Sequence, residues 1–229
     1  MQISHVGSER GAHLSGHNGN PSSIKAVIFD LGNVLVDFDH MLAAGKISLF
    51  TKRSPQEIHN LFFDSELTGA FEEGRISPHD FYLQVKELLD LRLEFEEFVP
   101  IWNEIFFLSE KNIQVYKLAQ ALKNRYKLAL LTNINILHLE YIRQKLPVFR
   151  PFSHIIASCG MGMRKPNPLL YQSALDRLGV PALAAFYTDD RMDLIEKARG
   201  LGIQSFQFQG IDKLKADLFS LGIDIRSLK

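Results

Sequence analysis

Ala26-Val27-Ile28-Phe29 is a short apolar run that stops at Asp30, and the chain repeats this pattern. Leu128-Ala129-Leu130-Leu131 stops at Thr132-Asn133, and Ala184-Ala185-Phe186-Tyr187 stops at Thr188-Asp189-Asp190. Ile155-Ile156 and the stretch from Ile203 to Phe208 are shorter or weaker versions. Continuous apolar runs of this length read as strands buried on both faces. Helical stretches separate them: Ile113 to Leu122, Ile136 to Leu146, Leu169 to Leu178 closed by Gly179, Leu194 to Ala198, and Lys213 to Leu221. Strands alternating with helices predict a parallel sheet with right-handed crossovers. The fold class is therefore α/β, with a Rossmann-like doubly wound parallel sheet.

The interval between the first and second strands is too long for one crossover. Pro55 to Phe63 reads as a helix with Ser54 as cap and Pro55 at its first position. Ser77-Pro78 opens a second helix, whose Phe81, Val85, Leu88 and Leu89 fall at helical spacing. Glu94 to Leu108 reads as a third, kinked or divided at Pro100. The expected organisation is a flexible tail over residues 1–23, an α/β core formed by residues 24–39 and 109–229, and an inserted helical domain over residues 40–108. The Phe-rich stretch 95–107 reads as that insertion's own core. His138 and His154 read as ordinary helix or loop histidines.

Composition narrows the function. Lys and Arg total 26 and balance 26 Asp and Glu, so neither a nucleic-acid footprint nor a polybasic membrane patch is expected. No apolar stretch approaches the roughly 20 residues of a membrane helix. The one cysteine, Cys159, forms no intramolecular disulfide, and the first 23 residues lack a secretory apolar stretch, which fits a cytoplasmic protein. His5, His13 and His17 are too loosely spaced for a metal tract.

In open parallel sheets, ligands bind beyond the carboxyl ends of the strands. That rule turns the strand ends into a site: Asp30, Thr132 with Asn133, Lys165 in the loop after the third strand, and Asp189 with Asp190. Three clustered carboxylates repel one another, and a divalent cation together with Lys165 offsets that charge. Carboxylate oxygens are hard ligands suited to magnesium, which binds phosphate as well. Each segment alone has an ordinary reading. Asp30 can cap a turn, Thr132-Asn133 and Asp189-Asp190 can cap helices, and Lys165-Pro166 can be a surface loop.

Taken together, Val-Ile-Phe-Asp-Leu-Gly-Asn-Val (27–34), Leu-Leu-Thr-Asn (130–133), Arg-Lys-Pro-Asn-Pro (164–168) and Phe-Tyr-Thr-Asp-Asp (186–190) resemble the haloacid dehalogenase superfamily, from Ile24 to about Phe208. The insertion resembles the helical cap of the subfamily that carries it after the first strand, with Gly69 to Ser77 as part of it. The resemblance implies a magnesium-dependent phosphatase acting on a small phosphorylated metabolite through an aspartyl-phosphate, as a monomer or homodimer. In that scheme Asp30 is nucleophile and magnesium ligand, with the Gly32 carbonyl and Asp190 as further ligands. Asp189 is a ligand or a supporting partner. Thr132 and Lys165 hold phosphoryl oxygens, and Asn133 supports their loop. Arg75 is a candidate for gripping substrate, and Phe62, Phe63 and Trp102 for lining the face that meets it.

The chain departs from the family pattern at Gly32, where most such phosphatases carry a second Asp that protonates the leaving oxygen. Asp37 and Asp39 are the nearby carboxylates that could replace it. A branch of the superfamily with the same Asp-Leu-Gly-Asn motif includes sugar-phosphate phosphatases. Two alternatives remain: a 2-haloacid dehalogenase, which displaces halide without a metal, and a homologue that binds phosphate and metal without turnover.

Overall fold

The structure, a computed structural model, describes residues 23–62, 65–223 and 225. Its elements in chain order are β1 (Ala26–Phe29), β2 (Asp37–Phe38), α1 (His40–Ile47), α2 (Pro55–Phe62), α3 (Glu66–Glu72), α4 (Pro78–Leu89), α5 (Phe95–Asn103), β3 (Phe106–Phe107) and α6 (Glu110–Leu122). They continue with β4 (Lys127–Thr132), α7 (Ile136–Lys145), β5 (His154–Ala157), α8 (Ser158–Met161), α9 (Pro168–Leu178), β6 (Ala185–Asp189), α10 (Met192–Gly200), β7 (Gln204–Gln207) and α11 (Ile211–Ser220).

Five strands form one parallel sheet in the order β5-β4-β1-β6-β7. The central strand β1 is fully buried because helices cover both sheet faces. Val27, Phe29, Leu128, Leu130 and Phe186 face the layer containing α6 and α11. Ala26, Ile28, Ala129, Leu131 and Tyr187 face α9 and α10. This is the expected doubly wound sheet. The strand order reverses direction at β1, so a crevice opens beyond its carboxyl end, where Asp30 stands.

The helices between β2 and β3, α1 to α5, hold a separate apolar cluster built on Ile47, Ile58, Phe71, Phe81, Phe98 and Trp102. Phe71 stacks on Phe81 at 4.3 Å, and the Phe-rich stretch packs here as expected. The insertion leaves and rejoins the core through a small antiparallel pair, Asp37–Phe38 with Phe106–Phe107. The third predicted helix therefore ends at Asn103 rather than Leu108, because Phe106 and Phe107 are taken up by that ladder. Pro100 lies inside α5 and does not divide it. Among the described residues three helices escaped the sequence reading: α1, α3 and the four-residue α8. Asp39 caps α1 by accepting from the Met41 amide at 2.8 Å, and Ser65 caps α3 from the Thr68 amide. Residues 1–22 of the N-terminal tail, with its three histidines, and Phe63 lie outside the described residues. Among the described residues no helix is long and apolar enough to cross a membrane.

Candidate active site

Hydrogen bonding along β1 and β6 brings the ends of the two strands side by side. Phe29 pairs with Thr188, and the Asp30 amide donates to the Thr188 carbonyl at 2.9 Å. Asp189 and Asp190 follow directly. Asp30, Asp189 and Asp190 consequently present carboxylate oxygens that all lie within 4.8 Å of one another. Four separated segments of sequence meet here, as the strand-end argument required.

Lys165 enters this cluster from the loop before α9. Its Nζ donates to Asp30 Oδ1 and to Asp189 Oδ2, both at 2.7 Å, with a side chain only 2% exposed. Burial alone would depress an ammonium, but Asp30 and Asp189 outweigh it and raise the Lys165 pKa above its ordinary value. Burial pushes Asp30 the other way, up to about 7, with Lys165 opposing and Asp189 reinforcing the rise. The Asp190 pKa is raised chiefly by burial as well. Formally, three carboxylates and one ammonium leave a charge of −2, which a divalent cation matches. The donor set is all oxygen and partly buried, and it fits magnesium.

The surrounding residues fix these side chains. Asp189 is fully buried and receives the Tyr187 hydroxyl and the Arg191 amide as well as Lys165. Its three donors suit a carboxylate that orients Lys165. Asp190 is only half-buried, and Asn33 Nδ2 donates to its Oδ2 at 2.8 Å. Asn33 sits at φ 55°, a left-handed position that Asn tolerates better than most side chains. Asn133 clamps the Lys165 loop: its Oδ1 accepts from the Lys165 amide at 2.8 Å and its Nδ2 donates to the Lys165 carbonyl at 3.1 Å. Thr132 is buried beside them, its hydroxyl only 3.4 Å from the Asn133 carbonyl.

The ordinary capping readings do not account for these positions. Asn135, not Thr132 or Asn133, caps α7, and the cap residue of α10 is Arg191. Arg75 is not brought to the site. Its side chain is 61% exposed, pairs with Glu73 at 2.7 Å, and does not line the cavity. Arg164 lines the cavity instead, held by Glu72 and Glu73 at 3.2 and 3.5 Å. Asp37 and Asp39 do not line it either. Asp37 is bound by Lys111 at 2.7 Å, which helps hold its pKa below the usual carboxylate range against partial burial, and Asp39 is spent capping α1.

A cavity of about 440 Å³ connects the carboxylates to the helical insertion. The insertion touches the core at several points along it. Ser158 Oγ donates to the Glu72 carbonyl at 2.6 Å. A Cβ on Gly74 would meet the Cys159 carbonyl oxygen at 2.2 Å, and its φ of 68° already favours glycine. His138 Nε2 lies 3.1 Å from the Trp102 carbonyl, and its Nδ1 lies 3.0 Å from Asn135 Nδ2. A carbonyl only accepts, so His138 is the neutral tautomer protonated at Nε2. Sequence reasoning assigned His138 no role and missed His40 and Asn33 altogether. Asn33 stood inside the first motif, but nothing in the spacing showed that its amide would reach Asp190.

A family model for haloacid dehalogenase-like hydrolases matches residues 24–202. The chain is 24% identical over 200 residues to a drimenol cyclase of Aspergillus calidoustus, covering 86% of this chain and 36% of that protein, so it spans about a third of that relative. It is 25% identical over 193 residues to D-ribitol-5-phosphate phosphatase of Bacteroides thetaiotaomicron, covering 80% of this chain and 91% of the relative. A crystal structure of an enzyme of the same family from Bacteroides thetaiotaomicron, in complex with magnesium and inorganic phosphate, superposes with a TM-score of 0.71 at 23% identity, covering 81% and 94% of the two chains. The convergence of the four strand-end segments and the match over residues 24–202 lead to one conclusion: the chain belongs to the haloacid dehalogenase-like hydrolases.

Proposed function

We propose that this chain is a magnesium-dependent phosphatase that hydrolyses a small phosphomonoester with Asp30 as nucleophile. One observation carries the reading: Asp30, Asp189 and Asp190 converge within 4.8 Å around a buried Lys165, leaving a charge that a divalent cation completes. Asp30, Asp190 and the Gly32 carbonyl would hold magnesium, which when bound draws charge from the phosphoryl oxygens. The similarity to a family enzyme solved with magnesium and phosphate supports the same reading.

A carboxylate oxygen of Asp30 forms a bond to phosphorus while the P–O ester bond breaks. The ester oxygen leaves with the electron pair and takes a proton from solvent. Lys165 and the Thr132 hydroxyl hold the phosphoryl oxygens, and Asn133 keeps the Lys165 loop in place. A water oxygen then forms a bond to phosphorus while the bond from phosphorus to the Asp30 oxygen breaks, releasing inorganic phosphate with the water's proton and restoring the Asp30 carboxylate. The insertion acts as a cap that excludes bulk water from the cavity.

Because Gly32 offers no acid, rates should rise as the leaving-group pKa falls. The fixed charge of the site also separates this reading from a metal-free dehalogenase, in which the excess of carboxylates would stand uncompensated. The test is a panel of phosphomonoesters, with 4-nitrophenyl phosphate as the activated member, assayed with magnesium and with chelator beside Asp30→Asn. Turnover should vanish with chelator and fall by at least about 10³ in the variant, as expected when a nucleophile is removed. Activity that survives chelation, or chloride release from 2-chloro acids, would overturn the reading.

A further inference from the structure

The cavity has two chemically distinct ends. One is the carboxylate cluster with Lys165. The other is walled by Ala43, Ala44, Ile47, Ile58, Phe62 and Trp102, contributed by α1, α2 and α5. These six side chains are all buried, yet they border a space of about 440 Å³. That volume falls within the range of small-molecule sites and far exceeds the small voids of ordinary packed interiors.

Away from the carboxylates the polar lining residues are His40, His59, Thr68, Asn135 and His138, with Glu72 and Arg164 paired to each other. His40 is neutral, its pKa lowered to about 4 by burial, by His59 and against the pull of Asp39. His138 is neutral and already spends both ring nitrogens on Asn135 and Trp102. Trp102 Nε1–H is buried and has no hydrogen-bond partner in the structure. Arg164 borders the cavity but is committed to Glu72 and Glu73. The hydroxyls of a polyol that face Ala43, Ala44, Ile47, Ile58 and Phe62 would be buried without partners, which is strongly disfavoured. An apolar group buries its surface against the same wall and gains from it.

We infer that the site selects phosphomonoesters of uncharged, predominantly apolar alcohols, alkyl or aryl. The inference rests on the phosphatase reading for its phosphate end and adds the class of leaving group. It separates this chain from its relative named for ribitol 5-phosphate.

Two measurements keep the two readings apart. The first is kinetic, on the wild-type protein with magnesium. Across the n-alkyl phosphates from ethyl to octyl, whose leaving groups differ little in pKa, KM should fall by up to about fourfold per added methylene until the lobe fills. The value of kcat/KM for octyl phosphate should exceed that for ribitol 5-phosphate by at least about tenfold. Ala44→Leu, which fills the lobe, and Ile58→Thr, which makes its wall more polar, should each lower the octyl-to-ethyl ratio. The second is binding, free of turnover. Trp102 is the single tryptophan of the chain and borders the cavity, so its fluorescence reports occupancy. In Asp30→Asn with magnesium, octyl phosphate should shift the emission at concentrations at least about tenfold below ribitol 5-phosphate. If 4-nitrophenyl phosphate is not hydrolysed, the phosphatase reading fails, and the fluorescence titration still decides the leaving-group class. Ribitol 5-phosphate binding as tightly as octyl phosphate, or a KM independent of alkyl length, overturns the inference.

Discussion

Replacing Lys165 with Met tests the electrostatic core of the site without changing its volume much. In the structure the ammonium stands 2.7 Å from both Asp30 and Asp189, and those carboxylates are 10% and 1% exposed. Methionine removes both ion pairs at once and leaves two buried carboxylates beside Asp190 with no cation among them. Removing one partner of a buried pair destabilises proteins by about 3–5 kcal/mol, because the remaining charge keeps its desolvation penalty. Asp189 retains the Tyr187 hydroxyl and the Arg191 amide, so the lower end of that range is expected. A domain of ordinary stability has about 5–15 kcal/mol in total. The loss is therefore easily measured by urea unfolding in chelator, where a slope of about 1–3 kcal/mol/M converts 3 kcal/mol into a midpoint lower by at least about 1 M. Lys165→Met combined with Asp189→Asn should recover part of the loss, since the amide oxygen still accepts from Tyr187 while one charge is gone. The coupling should lie between about 0.5 and 3 kcal/mol. A single variant within about 0.5 kcal/mol of the parent, or a double variant whose effects simply add, would refute the idea that Lys165 neutralises this cluster.

Two further outcomes follow from particular contacts. A Cβ at Gly32 would lie 2.9 Å from Phe38 Cε1, and that ring is held by His40 at 4.9 Å and Phe106 at 6.3 Å. Gly32→Ala should therefore destabilise by about 1–3 kcal/mol, with Phe38→Leu relieving part of the strain; purely additive thermal shifts would count against the packing account. His40 and His138 have folded pKa values near 4 and 3, below the unfolded value near 6.5, so both stay neutral while the unfolded chain takes up protons. Their share of the stability is complete above pH 6.5 and falls by up to about 1.4 kcal/mol per pH unit for each histidine as pH drops towards 4. Asp30, raised to about 7, works in the opposite sense over part of this window, so the informative quantity is the slope relative to His40→Asn and His138→Gln, which should be flatter than the parent; equal slopes would remove the histidines from the account.

Much of the α/β core was legible because its signals are local and strong. A strand covered by helices on both faces has to be apolar at every position, and Ala26–Phe29 and Leu128–Leu131 are. Gly179 marked the end of α9 because the left-handed cap at φ 61° favours glycine. The carboxylates were legible for a related reason: a charged residue directly after a buried strand sits at the sheet's carboxyl edge wherever the sheet goes. α1 was missed because Asp39 and His40 offer a short cap signal and only a weak apolar stripe follows. β2 and β3 were missed because a two-residue ladder has no periodicity to detect.

The other half of the cavity was hidden for a deeper reason. Ala43 and Ile47 on α1, and Ile58 and Phe62 on α2, each stand four residues apart, the helical spacing that any core-facing stripe shows, and all four are buried. Amphipathic pattern says that a side chain leaves water, not whether it meets another side chain or the wall of a cavity. That distinction depends on how closely α1, α2 and α5 approach the strand ends, and contacts distant in sequence set the approach: Lys111 on Asp37, His138 on the Trp102 carbonyl, and Arg164 on Glu72 and Glu73. Arg75 illustrates the same limit from the opposite side. It stands in a loop that the sequence placed near the site, yet three residues earlier Glu72 points to the core while Arg75 points to solvent. The chemistry at the phosphate end is thus written in residues that follow strands, whereas the choice of leaving group is written in the packing between two bodies of apolar side chains. Substitutions that exchange one apolar wall residue for another should accordingly change which ester is preferred while leaving the order of the chemical steps intact.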